Sequence, residues 1–333
     1  MQKTISIIIA IFNRKDELFE LLNSLIAQTD KNFEVIIVDD GSSVDLLPTV
    51  ETFKEMLEIQ YFKKTNSGPG LSRNYGARRA KNDWLVFVDS DVIVEKDYIE
   101  NIKKNLEKTD CAAFGGADKA HKGFNLLQKA ISYSMTSVFT TGGIRGSKKA
   151  VTRFQPRSFN MGVNKEIFLK IGGFSEMRIG EDPDLSMTIW ENGYQTAFFD
   201  NIGVYHKRRT DLGKFSKQVY QFGCARPILN QRHPNYVKPT FWFPTLFLLG
   251  YVAGFLEYFL LHKGFVLACY GIYTFVIFFH ALLLTKNLAI AAQAIITTYI
   301  QMFSYGYGFL ESWVKLNILR MKPEEAFPKH FHK

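Results

Sequence analysis

The run Thr4-Ile5-Ser6-Ile7-Ile8-Ile9-Ala10 is apolar at nearly every position. A strand with one wet face would alternate, so this one is predicted to be buried on both faces. Leu18, Leu21, Leu22 and Leu25 then recur at helical spacing. Glu34-Val35-Ile36-Ile37-Val38 predicts a second buried strand, Leu46 to Leu57 a helix, and Ile59-Gln60-Tyr61-Phe62 a short third strand. A helix over Leu71 to Ala80 leads to a fourth strand at Trp84-Leu85-Val86-Phe87-Val88. Asp97 to Leu106 is a further helix, with Ile99, Ile102 and Leu106 facing inward. Alternating helices and near-continuous apolar strands predict a mainly parallel, Rossmann-like α/β sheet covered on both faces.

From about Thr240 the pattern changes. Phe241 to Leu261 is apolar apart from Glu257, and Gly264 to Thr285 apart from His280. Leu288 to Leu310 carries no charge. Each run has the roughly 20 residues a bilayer crossing requires. His262-Lys263-Gly264 and Thr285-Lys286-Asn287 separate them as short hairpin breaks. The expected division is residues 1–238 for a catalytic domain, 239–311 for a membrane region of two or three helices, and 312–333 for a basic tail. Lys207, Arg208, Arg209, Lys214, Lys217, Arg226, Arg232 and Lys238 precede the first run, which puts that side in the cytoplasm. The tail is basic as well (Lys315, Arg320, Lys322, Lys329, Lys333), and three crossings would place it outside. The third run, richest in Gln, Thr, Ser and Tyr, is the candidate for an interfacial or re-entrant segment. The first strand lacks the length and the cleavage site of a signal peptide, so the sheet is expected to stay in the cytoplasm.

Composition sharpens this only in part. The chain has 333 residues, 47% hydrophobic and 22% charged, with a net charge of +9, which excludes a disordered chain. Mean hydropathy, -0.07, averages two unlike regions. The excess of Lys and Arg suits anionic partners. The membrane-facing basic segment accounts for it, so no nucleic-acid binding is expected. Cys111, Cys224 and Cys269 lie far apart, which disfavours a disulfide framework or a zinc site.

The chemistry follows the strands. In sheets of this kind ligands sit at the carboxyl ends of the strands. Asp39-Asp40-Gly41-Ser42 follows the second strand and Asp89-Ser90-Asp91 the fourth. Carboxylates crowded at one edge repel, so a divalent cation that also binds phosphate is implied. Asp-x-Asp alone is equally a solvated turn or a helix cap; its place after a buried strand, paired with Asp39-Asp40, favours the metal. Asn66 to Gly76 leads into a helix whose first amides suit phosphate, with Arg73 as a cationic fork. It is neither a P-loop nor a dinucleotide fingerprint, and a plain turn is the alternative for its glycines.

Taken in order, these segments resemble glycosyltransferase family 2 with the GT-A fold. The resemblance rests on Ile11-Phe12-Asn13-Arg14, Val38 to Ser42, Asn66 to Gly76 and Val88 to Asp91. It continues through Gly172-Gly173-Phe174, Gly180-Glu181-Asp182-Pro183-Asp184-Leu185 and Glu191-Asn192-Gly193-Tyr194. It covers residues 1 to about 230 and implies a nucleotide-diphosphate-sugar donor (UDP first), Mn2+ or Mg2+, and inversion at the sugar carbon. Position by position, it implies Asp39 and Asp40 at the nucleoside, Arg73 near base or diphosphate, and Asp89 near ribose and metal. Asp91 would ligate the metal and Asp182 act as general base, with Glu181 as the alternative base or as an acceptor-orienting group. A helix start needing acids is the other use of Glu181-Asp182. His206, after a strand at Val204-Tyr205, is either a metal ligand or structural. Asn160 falls where the family frames the donor sugar, or is a simple cap. Arg226 is a diphosphate contact or a membrane-surface cation.

One departure matters. Processive synthases of this family carry Gln-x-x-Arg-Trp, whereas here Gln221 and Arg226 are spaced differently and Pro227 follows. The resemblance is instead to membrane-bound enzymes that build lipid-linked exopolysaccharide units. The expectation is an inverting transferase at the cytoplasmic membrane acting on a lipid-linked or polysaccharide acceptor. A polyprenyl-phosphate glycosyltransferase and a non-catalytic nucleotide-sugar-binding component are the alternatives. Phe124 to Phe139 is amphipathic and lies either on the bilayer, admitting such an acceptor, or on the sheet. The basic segment Arg145, Lys148, Lys149, Arg153, Arg157 is expected to be a mobile loop that either orders over donor phosphates or is solvated or lipid-facing.

Overall fold

The isoleucine run forms β1, Ile5–Ile11, buried at every position but Ala10. The computed structural model describes residues 3–119, 124–141, 154–206 and 211–331, the side chains of Thr141 and His206 excepted. The other strands are β2 Phe33–Asp39, β3 Ile59–Lys63, β4 Trp84–Asp89, β5 Val92–Val94, β6 Ala113–Lys119, β7 Asn160–Asn164 and β8 Thr196–His206. They form one sheet in the order β3-β2-β1-β4-β7-β6-β8-β5.

The half of the sheet that the hydrophobic pattern predicted is parallel: β3, β2, β1 and β4 all run one way. Beyond β4 the sheet is mixed. β7 enters antiparallel to both β4 and β6, and β5 pairs antiparallel with β8. Of these strands, β5 is short and β6 and β7 are interrupted by Gly115, Gly116 and Gly162, so they escaped the sequence pattern, whereas β8 was foreseen only at its end, Val204-Tyr205.

Alternate β1 side chains serve two layers. Ile5, Ile7, Ile9 and Ile11 join Leu18, Leu21, Leu22 and Leu25 of the helix Lys15–Ile26, with Ile99, Ile102 and Leu106 of the helix Tyr98–Lys108. On the other face Ile8 meets the helix Pro69–Ala77 at Gly76. A Cβ there would lie 2.8 Å from Ile8 Cγ2 and 3.2 Å from Val38 Cγ2, so only glycine lets this helix approach so closely. The helix begins two residues before the predicted Leu71, because Pro69 occupies its first turn. The predicted helix Leu46 to Leu57 is shorter, Leu47–Glu51. Turns with i→i−3 bonds, such as Phe53 N to Val50 O at 3.0 Å, then carry Phe53 and Leu57 into the core.

The chain divides into two compact units: Met1–His121 with Lys148–Lys207 and Lys329–Lys333, and Lys122–Ser147 with Arg208–Pro328. The second unit is helical: Leu126–Thr136, Leu212–Arg232, Phe243–Leu261, Phe265–Thr285 and Leu288–Trp313 are its long helices. Three segments, Pro239–Leu261, Phe265–Thr285 and Leu288–Ile318, are long and apolar enough to cross a membrane. The breaks fall where the sequence put them, with His262 and Lys286 in the left-handed conformation closing the first two helices. Amphipathic Leu126–Thr136 belongs to this unit, where Thr297 Oγ1 donates to Ala130 O at 3.1 Å. Lys207, Arg208 and Arg209, and Arg145, Lys148, Lys149 and Arg153 of the basic loop, lie outside the described residues.

Candidate active site

At the carboxyl edge of the sheet Asp39 and Asp40 take different work. Asp39 is fully buried. Its Oδ1 accepts from Ser42 N at 2.8 Å, and its Oδ2 accepts from Tyr61 OH at 2.8 Å. Burial and the Asp39 carboxylate hold the Tyr61 phenol protonated, well above its ordinary range. Asp40 anchors the next loop. Its oxygens accept from Ser67 N at 2.8 Å, Gly68 N at 2.7 Å and Lys64 Nζ at 2.5 Å. Two amides just before the helix start, those of Ser67 and Gly68, are therefore bonded to Asp40.

The loop after β1 reaches both acidic clusters. Asn13 Oδ1 accepts from Ser43 N at 2.8 Å, and Asn13 N donates to Ser42 Oγ at 2.9 Å. The adjacent Arg14 pairs with Asp91. Burial works against the Arg14 charge, but Asp91 outweighs it and raises the guanidinium pKa. Asp89 accepts from Arg73 Nη2 at 2.7 Å, and Arg73 Nη1 donates to Glu181 at 3.0 Å. Arg73 is 4% exposed. Burial disfavours its charge as well, and Asp89 and Glu181 more than compensate. Arg73 Nε finds no acceptor among the described residues, so this buried fork keeps one N–H to give.

Glu181 and Asp182 open the helix Glu181–Glu191, whose cap, Gly180, sits at φ 92°. That backbone favours glycine. Acids in a first turn complement the helix dipole, yet the two carboxylates face different surroundings. Burial first, and repulsion from Asp182 second, push Glu181 up to about 7 against the pull of Arg73. The Asp182 side chain is more open, at 19% exposure, and its Oδ2 lies 3.6 Å from Arg157 Nη1. One series of contacts thus runs from Ser42 through Asn13 and Arg14 to Asp91, and another from Asp89 through Arg73 to Glu181.

Among the described residues no three His, Cys, Asp or Glu groups are gathered as a metal site. The donor types nevertheless suit a hard cation. Asp89 and Asp91 flank one turn, each neutralised by an arginine where a metal ion would otherwise supply the charge. The β5–β8 register sets His206 opposite Val92, the residue after Asp91, although its side chain is not among those described.

Two candidates stand apart from these contacts. Asn160, 1% exposed, accepts from Tyr98 OH at 2.7 Å and donates to Ile202 O at 2.7 Å. Its amide thus ties β7 to the next helix and to β8. Arg226 belongs to the helical unit, its guanidinium 4.3 Å from the centre of the Phe241 ring. Arg14 has no role in the sequence reading, although it closes the motif Ile11-Phe12-Asn13-Arg14. Asn74 was missed too: it clamps the Gly173-Phe174 turn, donating to Phe174 O at 2.7 Å and accepting from Phe174 N at 2.9 Å.

A family model described as "Glycosyl transferase family 2" matches residues 6–171. An uncharacterized glycosyltransferase of Haemophilus influenzae is 33% identical over 220 residues, 62% of this chain and 70% of the relative. An uncharacterized glycosyltransferase of Rickettsia felis is 39% identical over 106 residues, 32% of this chain. That match spans only 18% of the relative's length. Among solved structures, a mannosyltransferase of Pyrobaculum calidifontis, in complex with GDP-Man and Mn2+, aligns with a TM-score of 0.57 at 18% identity. The alignment covers 90% of this chain and 86% of that one. The fold is GT-A-like, a mixed eight-stranded sheet followed by long apolar helices.

Proposed function

The chain belongs to glycosyl transferase family 2, and from that premise we propose that it is an inverting, metal-dependent transferase. It moves a sugar from a nucleotide diphosphate donor to a lipid-linked or polysaccharide acceptor at the cytoplasmic face of a membrane. Residues 1–238 form its catalytic domain, 239–311 its membrane region and 312–333 its basic tail. The observation that carries the reading is the Asp89–Arg73–Glu181 bridge. It binds the end of β4 to the helix start that holds Asp182. GDP-Man and Mn2+ in the Pyrobaculum relative support donor and cation classes.

In this reading Asp39 and Tyr61 frame the nucleoside, and Arg73 directs its spare Nε–H toward the donor. Asp182 takes the proton from an acceptor hydroxyl. The acceptor oxygen then attacks the anomeric carbon from the face opposite the leaving group. The new C–O bond forms as the bond to the diphosphate breaks, so configuration inverts and the nucleoside diphosphate departs. Asp89 and Asp91, with His206 as the further candidate, would hold a divalent cation, which would supply positive charge to that leaving group. Glu181 holds Arg73 in place beside it.

The test is the purified full chain in detergent with UDP-, GDP- and dTDP-sugars and Mn2+ or Mg2+. Release of nucleoside diphosphate, with inverted anomeric configuration in the product, is expected. No release from any donor with either metal would overturn the reading.

A further inference from the structure

We propose that the chain crosses the bilayer twice, through the hairpin Phe243–Thr285, and that Leu288–Trp313 lies at the membrane face instead of crossing. This rests on the membrane reading above and settles which apolar helices span. The tail of the chain fixes the parity of the crossings. Met177 and Phe331 form a β-bridge, and Arg178 N donates to His330 O at 2.7 Å. His330 and Phe331 are 4% and 8% exposed. The end of the chain is thus folded into the same compact unit as the sheet. A unit that contains both ends of the intervening chain lies on one side of a bilayer, so that chain crosses an even number of times. Three crossings are incompatible with it.

Packing within the helical unit identifies the helix that stays behind. Ser304 Oγ lies 2.9 Å from Ser216 Oγ, Tyr220 OH donates to Glu311 at 2.6 Å, and Ser312 Oγ donates to Cys224 O at 2.8 Å. These contacts advance together, so the second half of Leu288–Trp313 runs alongside Leu212–Arg232. That companion exposes Lys214, Lys217, Gln231 and Arg232, a surface that hydrocarbon does not accept. The second half of this helix therefore shares the depth of its polar companion. The buried share of the three apolar segments agrees: 39% for the third against 17% and 11% for the first two.

The hairpin has the opposite character. Only Thr245, Phe247 and Gly254 are buried in its first helix, and only Ile277 and Ala281 in its second. Its 19 and 21 residues span about 30 Å, the hydrocarbon thickness. Its lone acid, Glu257, lies one turn from the tip and accepts from Val266 N at 3.0 Å, capping the returning helix. Lys263 at the tip then reaches the far surface.

Single cysteines decide it. Lys54→Cys, Lys263→Cys and Lys322→Cys all replace exposed side chains. They would be introduced into the full chain after Cys111→Ser, Cys224→Ala and Cys269→Ala, and labelled with a membrane-impermeant maleimide in sealed vesicles of both orientations. Positions 54 and 322 should label together in one orientation, and position 263 in the other, each with at least a tenfold contrast. Position 322 labelling with 263 would restore three crossings and overturn the proposal. All three labelling in one orientation would overturn the spanning hairpin. Release of the chain from membranes by alkaline carbonate would instead defeat the membrane reading beneath both.

Discussion

The two acidic clusters at the carboxyl edge of the sheet are built in opposite ways. Asp39 and Asp40 are held mainly by backbone amides, Tyr61 and Lys64. Asp89, Asp91 and Glu181 are held by the guanidinium groups of Arg73 and Arg14. Amides of a loop and a helix start are fixed in place, so the first cluster is a frame. The second cluster is tied together by charge instead, its arginines joining segments far apart in the chain. In the proposed reading the first cluster is the nucleoside end and the second the reactive end.

Substitutions at the reactive end should alter rate, and those in the frame stability. Asp182→Asn is expected to lower transfer about 10²- to 10⁴-fold with an unchanged melting temperature, read from initial rates and thermal unfolding of the same sample. Asp40→Ala reverses the pattern. Three donors lose their acceptor, at a cost of about 3 kcal/mol, and Tm should fall by about 6–12 °C. Equal losses of rate and stability at both positions would erase the distinction.

Glu181 sharpens it through pH. Its carboxyl is raised to about 7, so the folded protein holds this proton more tightly than the unfolded chain. The stability it contributes is therefore complete below the ordinary carboxylate range and is lost as pH rises through about 7. Glu181→Gln should flatten that dependence. The smallest effect belongs to Tyr61→Phe, which takes one hydrogen bond from Asp39. Thermal unfolding should show a loss of about 1 kcal/mol, with the maximal rate unchanged.

The parallel half of the sheet was legible because strands buried on both faces leave unbroken apolar runs, and its acidic clusters because they directly follow those runs. The antiparallel half was not: β5 has three residues, too few for a period, and Gly162 interrupts β7 where Phe114 fills the space. Pairings were the least legible part of the site. Arg14 meets Asp91 across 77 residues and Arg73 meets Glu181 across 108, distances at which spacing along the chain carries no information. The amides of Ser67 and Gly68 show the same gap. Their orientation was readable, but not that Asp40 would reach them first. The tail at His330 and Phe331 gave no signal at all, since a single bridge has no pattern.

In the proposed function the carboxylates and arginines of this edge bind a nucleoside diphosphate and a divalent cation together. Thermal unfolding of the full chain with UDP and with GDP, each with and without Mn2+, tests it most directly. At about 100 times the dissociation constant the preferred nucleotide should add about 2.7 kcal/mol. That amounts to an increase of about 5–10 °C in Tm, present with Mn2+, much smaller without it, and abolished in Asp91→Ala. A melting temperature indifferent to both nucleotides and to the metal would contradict the account.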